Sequence, residues 1–269
     1  MDLSAPSLLV LDFDGVIADS APEAFVVALR TWLALRPASP LRDRGALPPG
    51  PAAPPLERVI AHPLYAGFLE LMPLGNRAED YAVELHVLEM EAEVRDQAAY
   101  DAVKAGLDRD WLRGFHRAFY RERAALSEAD PEGWYRLTGP YPGIPGILRR
   151  RGRAAQLAIA TAKDRRSVAR LLEAYRIADL FAPDRVLDKE AGVTKRAHLE
   201  RLRGATGVAF ADTRFVDDKV NHLDDVASLG VRCALAGWGY NGAREAALAA
   251  ARGYPVLSLA EAEEGLFGG

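Results

Sequence analysis

One cysteine in 269 residues, Cys233, excludes an intrachain disulfide and a thiolate metal cluster. So sparing a use of thiols agrees with a reducing compartment, and a cytoplasmic location is the expectation. An excess of one charge is missing as well, since 34 Lys and Arg stand against 38 Asp and Glu for a formal charge of -4. That balance gives the chain as a whole no pull toward DNA, RNA or an anionic membrane, so no nucleic-acid or membrane partner is expected. Long apolar runs are absent too. The hydrocarbon layer of a membrane needs about 20 apolar residues, whereas the run Leu8–Leu11 stops at Asp12 and residues 1–6 carry no basic segment. Neither a spanning helix nor a signal peptide is therefore expected. What remains, 27% charged and 49% apolar residues, is an ordinary globular composition that excludes a wholly disordered or collagenous chain. The length fits one large domain or two unequal ones, in a monomer or a homodimer.

Along the chain, Ser7-Leu8-Leu9-Val10-Leu11 leads into Asp12-Phe13-Asp14-Gly15-Val16. An apolar run ending at a polar turn is the pattern of a strand buried on both faces. Residues 21–35 turn helical, with Phe25, Leu29 and Trp32 at helical spacings and Pro22 where a first turn tolerates it. The stretch 37–55 carries prolines at 37, 40, 48, 49, 51, 54 and 55, which predicts an irregular loop. From 56 to about 129 no strand is predicted. Windows 79–104 and 111–126 set acidic and basic residues between Leu, Val, Tyr and Phe at helix spacing, the mark of a small all-helical unit.

After the turn-rich segment 138–143, strands are predicted at 156–161, 185–187, across 207–211 and 213–216, and at 231–235, the last of the series. Helices are predicted at 144–151, 164–174, 194–203 and 221–229. Alternating elements of these lengths imply a parallel sheet with both faces covered. The expected fold is an α/β, Rossmann-like three-layer sandwich interrupted after its first strand by a second, all-helical domain, with a core of 1–18 and 137–269 and an insert of 19–136. An active site is then expected at the carboxyl ends of the strands.

Each central strand in this reading ends in a group suited to phosphate chemistry: Asp12 and Asp14, then Thr161, then Asp217 and Asp218. Several carboxylates in one pocket repel, and a divalent cation is the simplest way to keep them ionised. Oxygen ligands without a His or Cys cluster point to Mg2+ rather than zinc.

Asp12-Phe13-Asp14-Gly15-Val16, followed by Asp19-Ser20, resembles the first motif of the haloacid dehalogenase-like hydrolase superfamily, and in particular its phosphatases and phosphomutases with a helical cap inserted after that motif. The resemblance implies Asp12 as nucleophile and Asp14 as general acid and base. It also implies substrate binding by Thr161, within Ile159-Ala160-Thr161-Ala162-Lys163, by the adjoining Ala162, and by a lysine that neutralises the transferring group. Lys195 opens a predicted helix and fits the order of the motifs better than Lys189, while Lys163 is placed at the rim. The implied cofactor is Mg2+ on Asp12, Asp14, Asp217 and Asp218, and the implied substrate is a small-molecule phosphate monoester, in a phosphoglycolate-phosphatase-like reaction. A phosphosugar mutase and a catalytically silent binding module are the alternatives. Dehalogenation is disfavoured because that chemistry lacks the second aspartate, here Asp14.

The last motif departs from the family's usual form. Asp217 stands where a glycine is common, and Lys219-Val220-Asn221-His222 replaces a further carboxylate, so Asp217, Asp218 and Asp212 all stay open as the third metal ligand. Gly237-Trp238-Gly239-Tyr240-Asn241-Gly242 reads as a rigid connection beside the site or as a partner or substrate surface.

Overall fold

The structure, a computed structural model, describes residues 5–45, 47, 48, 50–75, 77–192 and 194–268. Residues 1–4, read above for a targeting segment, and Pro49 of the proline-rich stretch lie outside the described residues. The chain divides into two compact units, residues 5–19 with 139–268, and Ser20–Thr138.

The first unit is built on six parallel strands: β1 (Leu8–Leu11), β2 (Gln156–Ala160), β3 (Val186–Leu187), β4 (Thr213–Asp217), β5 (Arg232–Ala236) and β6 (Val256–Leu257). Their spatial order is β3-β2-β1-β4-β5-β6, the Rossmann-like arrangement in which the chain starts in the middle of the sheet and winds outward in both directions. Every residue of β1 and β4 is buried; β1 is apolar throughout, whereas β4 also buries Thr213, Arg214 and Asp217. Leu8, Val10, Ala158, Phe215 and Leu235 pack from the sheet against Leu199 and Leu202 of the helix Lys195–Thr206 and against Leu223 and Val226 of the helix Val220–Ala227.

Register is what builds the site. Leu11 is level with Ile159 on one side and with Val216 on the other. One residue further on, Asp12 therefore stands beside Ala160 and Asp217, and its N–H donates to the Val216 carbonyl at 3.0 Å.

Two expectations need correction here. Residues 207–211 are not a strand: Gly207, at φ 69°, ends the helix Lys195–Thr206 by donating to the Arg203 carbonyl, Phe210–Asp212 forms a 3-10 turn, and β4 starts only at Thr213. Nor is β5 the last strand. The alanine-rich helix Ala243–Ala251 leads to β6, only two residues long, too short to leave an alternating pattern in the sequence.

Among the described residues of Ser20–Thr138 there is no strand. Its longest helices are Ala21–Leu35, Ala78–Met90 and Arg109–Ala129. The window 79–104 is broken in two, because Glu91 takes a left-handed conformation after Met90 and Asp96 opens the helix Gln97–Gly106 by accepting from the Ala99 N–H. Phe25, Phe68, Phe115 and Phe119 are fully buried in this unit, with Phe25 and Phe68 edge to face at 5.3 Å. Into this apolar interior the unit places a bidentate ion pair: Arg123 Nε and Nη2 each donate to a different oxygen of the buried Glu23 at 2.7 Å. No described helix of the protein is long and apolar enough to cross a membrane.

Removing one partner of a buried bidentate pair strands the other's charge, which costs about 3–5 kcal/mol. Arg123→Ala is expected to lower the stability of this unit by that amount in urea titrations, and Arg123→Met with Glu23→Leu to cost far less. Equal losses from the single and double variants would show that the pair's charges are not what matters there.

Candidate active site

Asp12 follows β1, and its Oδ1 accepts from the Phe13 N–H at 2.7 Å. Lys195, at the first position of its helix, sends Nζ to Asp12 Oδ2 at 2.8 Å, to Asp217 Oδ2 at 3.0 Å and to the Ala160 carbonyl at 2.6 Å. An ammonium has three donors, and these contacts use all of them. Burial alone would depress the Lys195 pKa, but Asp12 and Asp217 raise it to about 12, so the side chain stays charged. Of the two lysines weighed from the sequence, Lys195 reaches this cluster. Lys189 is half-buried and its backbone N–H donates to the Lys163 carbonyl.

Asp217 accepts from Lys219, His222 and Lys195. Its Oδ1 accepts from the Lys219 N–H at 3.0 Å, and His222 Nδ1 lies 2.9 and 3.0 Å from its two oxygens. A carboxylate only accepts, so Nδ1 is the protonated nitrogen in this arrangement. Burial acts to raise the Asp217 pKa, yet His222 and Lys195 outweigh it and hold the group well below the usual carboxylate range. Asp12 goes the other way: burial is the largest influence, and despite Lys195 its pKa is pushed up to about 6. Asp218, buried and next to Asp217, is raised well above its ordinary value by burial first and then by its neighbour's charge.

Asp218 differs from Asp217 in its partners. Its Oδ2 accepts from the Tyr240 N–H at 2.9 Å, while Oδ1 is buried with no hydrogen-bond partner among the described residues. Gly15, at φ 82°, lies so close that an added Cβ would fall 2.3 Å from Asp218 Oδ2. Any side chain there would have to displace the carboxylate.

Asp14, two residues past Asp12, is paired with Lys163, whose Nζ lies 2.9 Å from Asp14 Oδ1. The sequence reading put Lys163 at the rim, but its side chain is only 1% exposed, against 31% for Asp14. Thr161 is buried after β2; its N–H donates to the Leu187 carbonyl and its Oγ1 accepts from the Lys163 N–H at 3.1 Å. It does not cap the following helix, because Asp164 does, accepting from the Ser167 N–H. Ala162 is exposed beside it. Asp212 precedes β4, and its carbonyl accepts from the Ser7 N–H at the start of the sheet. Five residues of strand, about 17 Å, separate it from the carboxyl-end cluster.

From the sequence His222 could reach the site, although a lone histidine in a helix is more often packed or exposed; the Lys163–Asp14 pair and the bond from Tyr240 were not foreseen. His222 falls in the first turn of the helix Val220–Ala227, which follows β4 after two residues and so brings it back beside Asp217. Four carboxyl groups, Asp12, Asp14, Asp217 and Asp218, stand here beside two ammonium groups, Lys163 and Lys195, and a divalent cation would favour the ionised form of Asp12 and Asp218, the two that burial raises. Asp12, Asp217 and His222 bring ligand atoms within 4.8 Å of one another. Oxygen donors and the orphaned Asp218 Oδ1 fit a hard cation.

A family model described as haloacid dehalogenase-like hydrolase matches residues 6–225. Among solved structures, a haloacid dehalogenase-like family hydrolase from Streptococcus pneumoniae is similar at a TM-score of 0.63 and 13% identity, over 96% of this chain and 95% of that one. A protein described as a predicted phosphoglycolate phosphatase, from Haemophilus somnus 129PT, is similar at a TM-score of 0.61 and 18% identity, over 97% of each chain. One described as a predicted phosphatase, from Clostridium acetobutylicum, is similar at 0.55 and 16%, over 97% and 98%. At such identities the likeness is one of fold.

Replacing Lys195 by Met leaves Asp12 and Asp217 facing each other without the ammonium. The Asp12 carboxyl is then expected to titrate above its value of about 6 in the metal-free protein, followed by carboxyl carbon NMR. An unmoved titration would mean that Lys195 has no hold on it.

Proposed function

This chain belongs to the haloacid dehalogenase-like hydrolase family, and we propose that within it the chain hydrolyses small-molecule phosphate monoesters through an aspartyl phosphate on Asp12, as a phosphoglycolate-phosphatase-like enzyme. The observation that carries this reading is the Lys195 ammonium held between Asp12 and Asp217, with Asp14 two residues on and paired to a second buried lysine.

In the first step an Asp12 oxygen forms a bond to phosphorus as the bond to the ester oxygen breaks, and Asp14 gives its proton to the departing alcohol. In the second step water attacks phosphorus. Asp14 takes the proton from that water, the Asp12–phosphorus bond breaks, and inorganic phosphate leaves with Asp12 restored. Lys195, charged at any working pH, balances charge on the phosphoryl oxygens. The Thr161 hydroxyl accepts from the Lys163 N–H, so its own proton is available for a phosphoryl oxygen, with the Ala162 N–H beside it.

The carboxylate set suits Mg2+, which when bound supplies charge neutralisation at the phosphoryl group. Asp12 and Asp218 are the side chains that would hold it, since Asp218 Oδ1 lacks a partner whereas Asp217 already accepts from Lys219, His222 and Lys195. Asp217 acts instead as the anchor of Lys195 and His222. Asp14, whose Oδ1 is engaged by Lys163, is assigned the proton transfers, with its position two residues past Asp12 placing it on the same turn.

Phosphate release from p-nitrophenyl phosphate with Mg2+ present tests this directly: Asp12→Asn and chelation are each expected to reduce it to background. Activity that survives Asp12→Asn would overturn the mechanism, and an inactive native chain would favour a silent binding module. A panel of phosphate monoesters including phosphoglycolate and hexose phosphates then identifies the substrate. Proton and cation compete for Asp12, so Mg2+ binding should weaken as the pH falls through about 6 and level off above it, read by calorimetry at pH 5 and 8. Binding that is flat across that range would remove Asp12 from the ligand set.

A further inference from the structure

We propose that the loop 237–241, between β5 and the helix Ala243–Ala251, is a strap that pins Asp218 against the turn after β1, so that Trp238, Gly239 and Asn241 are positioning residues for the cation site. The inference rests on the reading of Asp218 as a ligand.

Both the carboxylate and the backbone of Asp218 are held by this loop. The Tyr240 N–H takes Oδ2 at 2.9 Å, and Asn241 Nδ2 donates to the Asp218 carbonyl at 3.1 Å and to the Ala236 carbonyl at 2.9 Å. One side-chain amide thus ties the residue after β4 to the end of β5. The same loop reaches the turn that carries Asp14: Trp238 Nε1 donates to the Val16 carbonyl at 3.1 Å, and the Tyr240 hydroxyl lies 3.4 Å from the Ala18 carbonyl.

Gly239 closes the arrangement. A Cβ there would fall 2.3 Å from both Asp218 Cβ and the Gly15 carbonyl oxygen, just as a Cβ on Gly15 would fall 2.3 Å from Asp218 Oδ2. Asp218, Gly15 and Gly239 are therefore in close mutual contact, with no room for a side chain on either glycine. With Oδ2 fixed by a backbone donor, rotation of the carboxylate is blocked and the unpartnered Oδ1 is presented in one direction only. Outer partners that orient a ligand in this way are worth about 10–100-fold in metal affinity.

Mn2+ titration of the metal-free full chain, followed by electron paramagnetic resonance with melting curves alongside, tests the strap without reference to catalysis. Asn241→Leu keeps the side chain's size and removes its donors; Gly239→Ala inserts the clashing methyl; Trp238→Phe removes only the indole N–H. The first two are expected to weaken Mn2+ by at least tenfold in protein that is still folded, and Trp238→Phe by a smaller factor. Folded Asn241→Leu and Gly239→Ala that bind Mn2+ within twofold of the native chain would overturn the proposal, because a merely structural loop would lower the melting temperature alone. If Gly239→Ala does not fold, Asn241→Leu and Trp238→Phe decide. Asp218→Asn separates the two levels. Loss of Mn2+ there with retention in the strap variants sinks the strap and leaves the ligand reading standing, whereas Mn2+ retained in Asp218→Asn removes both.

Discussion

Carboxylates buried side by side repel each other and lose their hydration, and the protein holds them only by placing cations between them. Lys195 is the central instance, with its three donors spent on Asp12, Asp217 and the end of β2. The same ammonium that offsets the charge also sets the division of labour. Asp217, further held by His222, is locked in its ionised form, while Asp12, with a single cationic partner and full burial, is left with a pKa near 6 and a strong preference for a further positive neighbour. Among the described residues Asp218 has no side-chain cation at hydrogen-bond distance, and burial raises it well above its ordinary range. The two high-energy carboxylates are thus the two that a divalent cation would stabilise most.

The sheet makes this affordable. With β1 in the middle and every residue of β1 and β4 buried, the positions just past the strand ends are fixed by ladder hydrogen bonds to about the precision of the backbone itself. Loops then do the remaining orientation. The Lys163–Asp14 pair, the Thr161 turn and residues 237–241 all lie beyond strand ends, where backbone groups not needed by the ladder are free to take up side chains. Close approach of three such loops demands residues without side chains, and Gly15 and Gly239 supply them.

The helical unit solves a different problem with the same rule. It buries a dense aromatic interior and holds the buried Glu23 there with the bidentate Arg123, as it holds the buried Asp80 with Lys104. Its helix boundaries follow local chemistry, with Asp96 and Asp108 as caps and the left-handed Glu91 as a break. This part of the chain leaves little sequence signal of function, because its alternating charges are compatible with any solvated helix face.

Local chemistry written along the chain determined a good deal by itself. The apolar run before Asp12 made β1, Pro22 and the Phe25-Leu29-Trp32 spacing made the helix Ala21–Leu35, and Asp164 and Thr194 opened the helices that follow β2 and β3. The residues that gather at the sheet's carboxyl edge could be named for the same reason, since each follows directly on a buried strand. Tertiary structure decided what depends on register and on contacts between distant segments. Among these are the contact of Lys195 with Asp12 and Asp217, the place of Asp212 at the far end of β4, the pairing of Lys163 with Asp14, and the contrast between Asp217 with its three donors and Asp218 with an unpartnered Oδ1. The Lys163–Asp14 pair spans 149 positions of sequence and the bond from Trp238 to Val16 spans 222. No local propensity encodes them, because the partner's position is fixed only when the strands between them have taken their places.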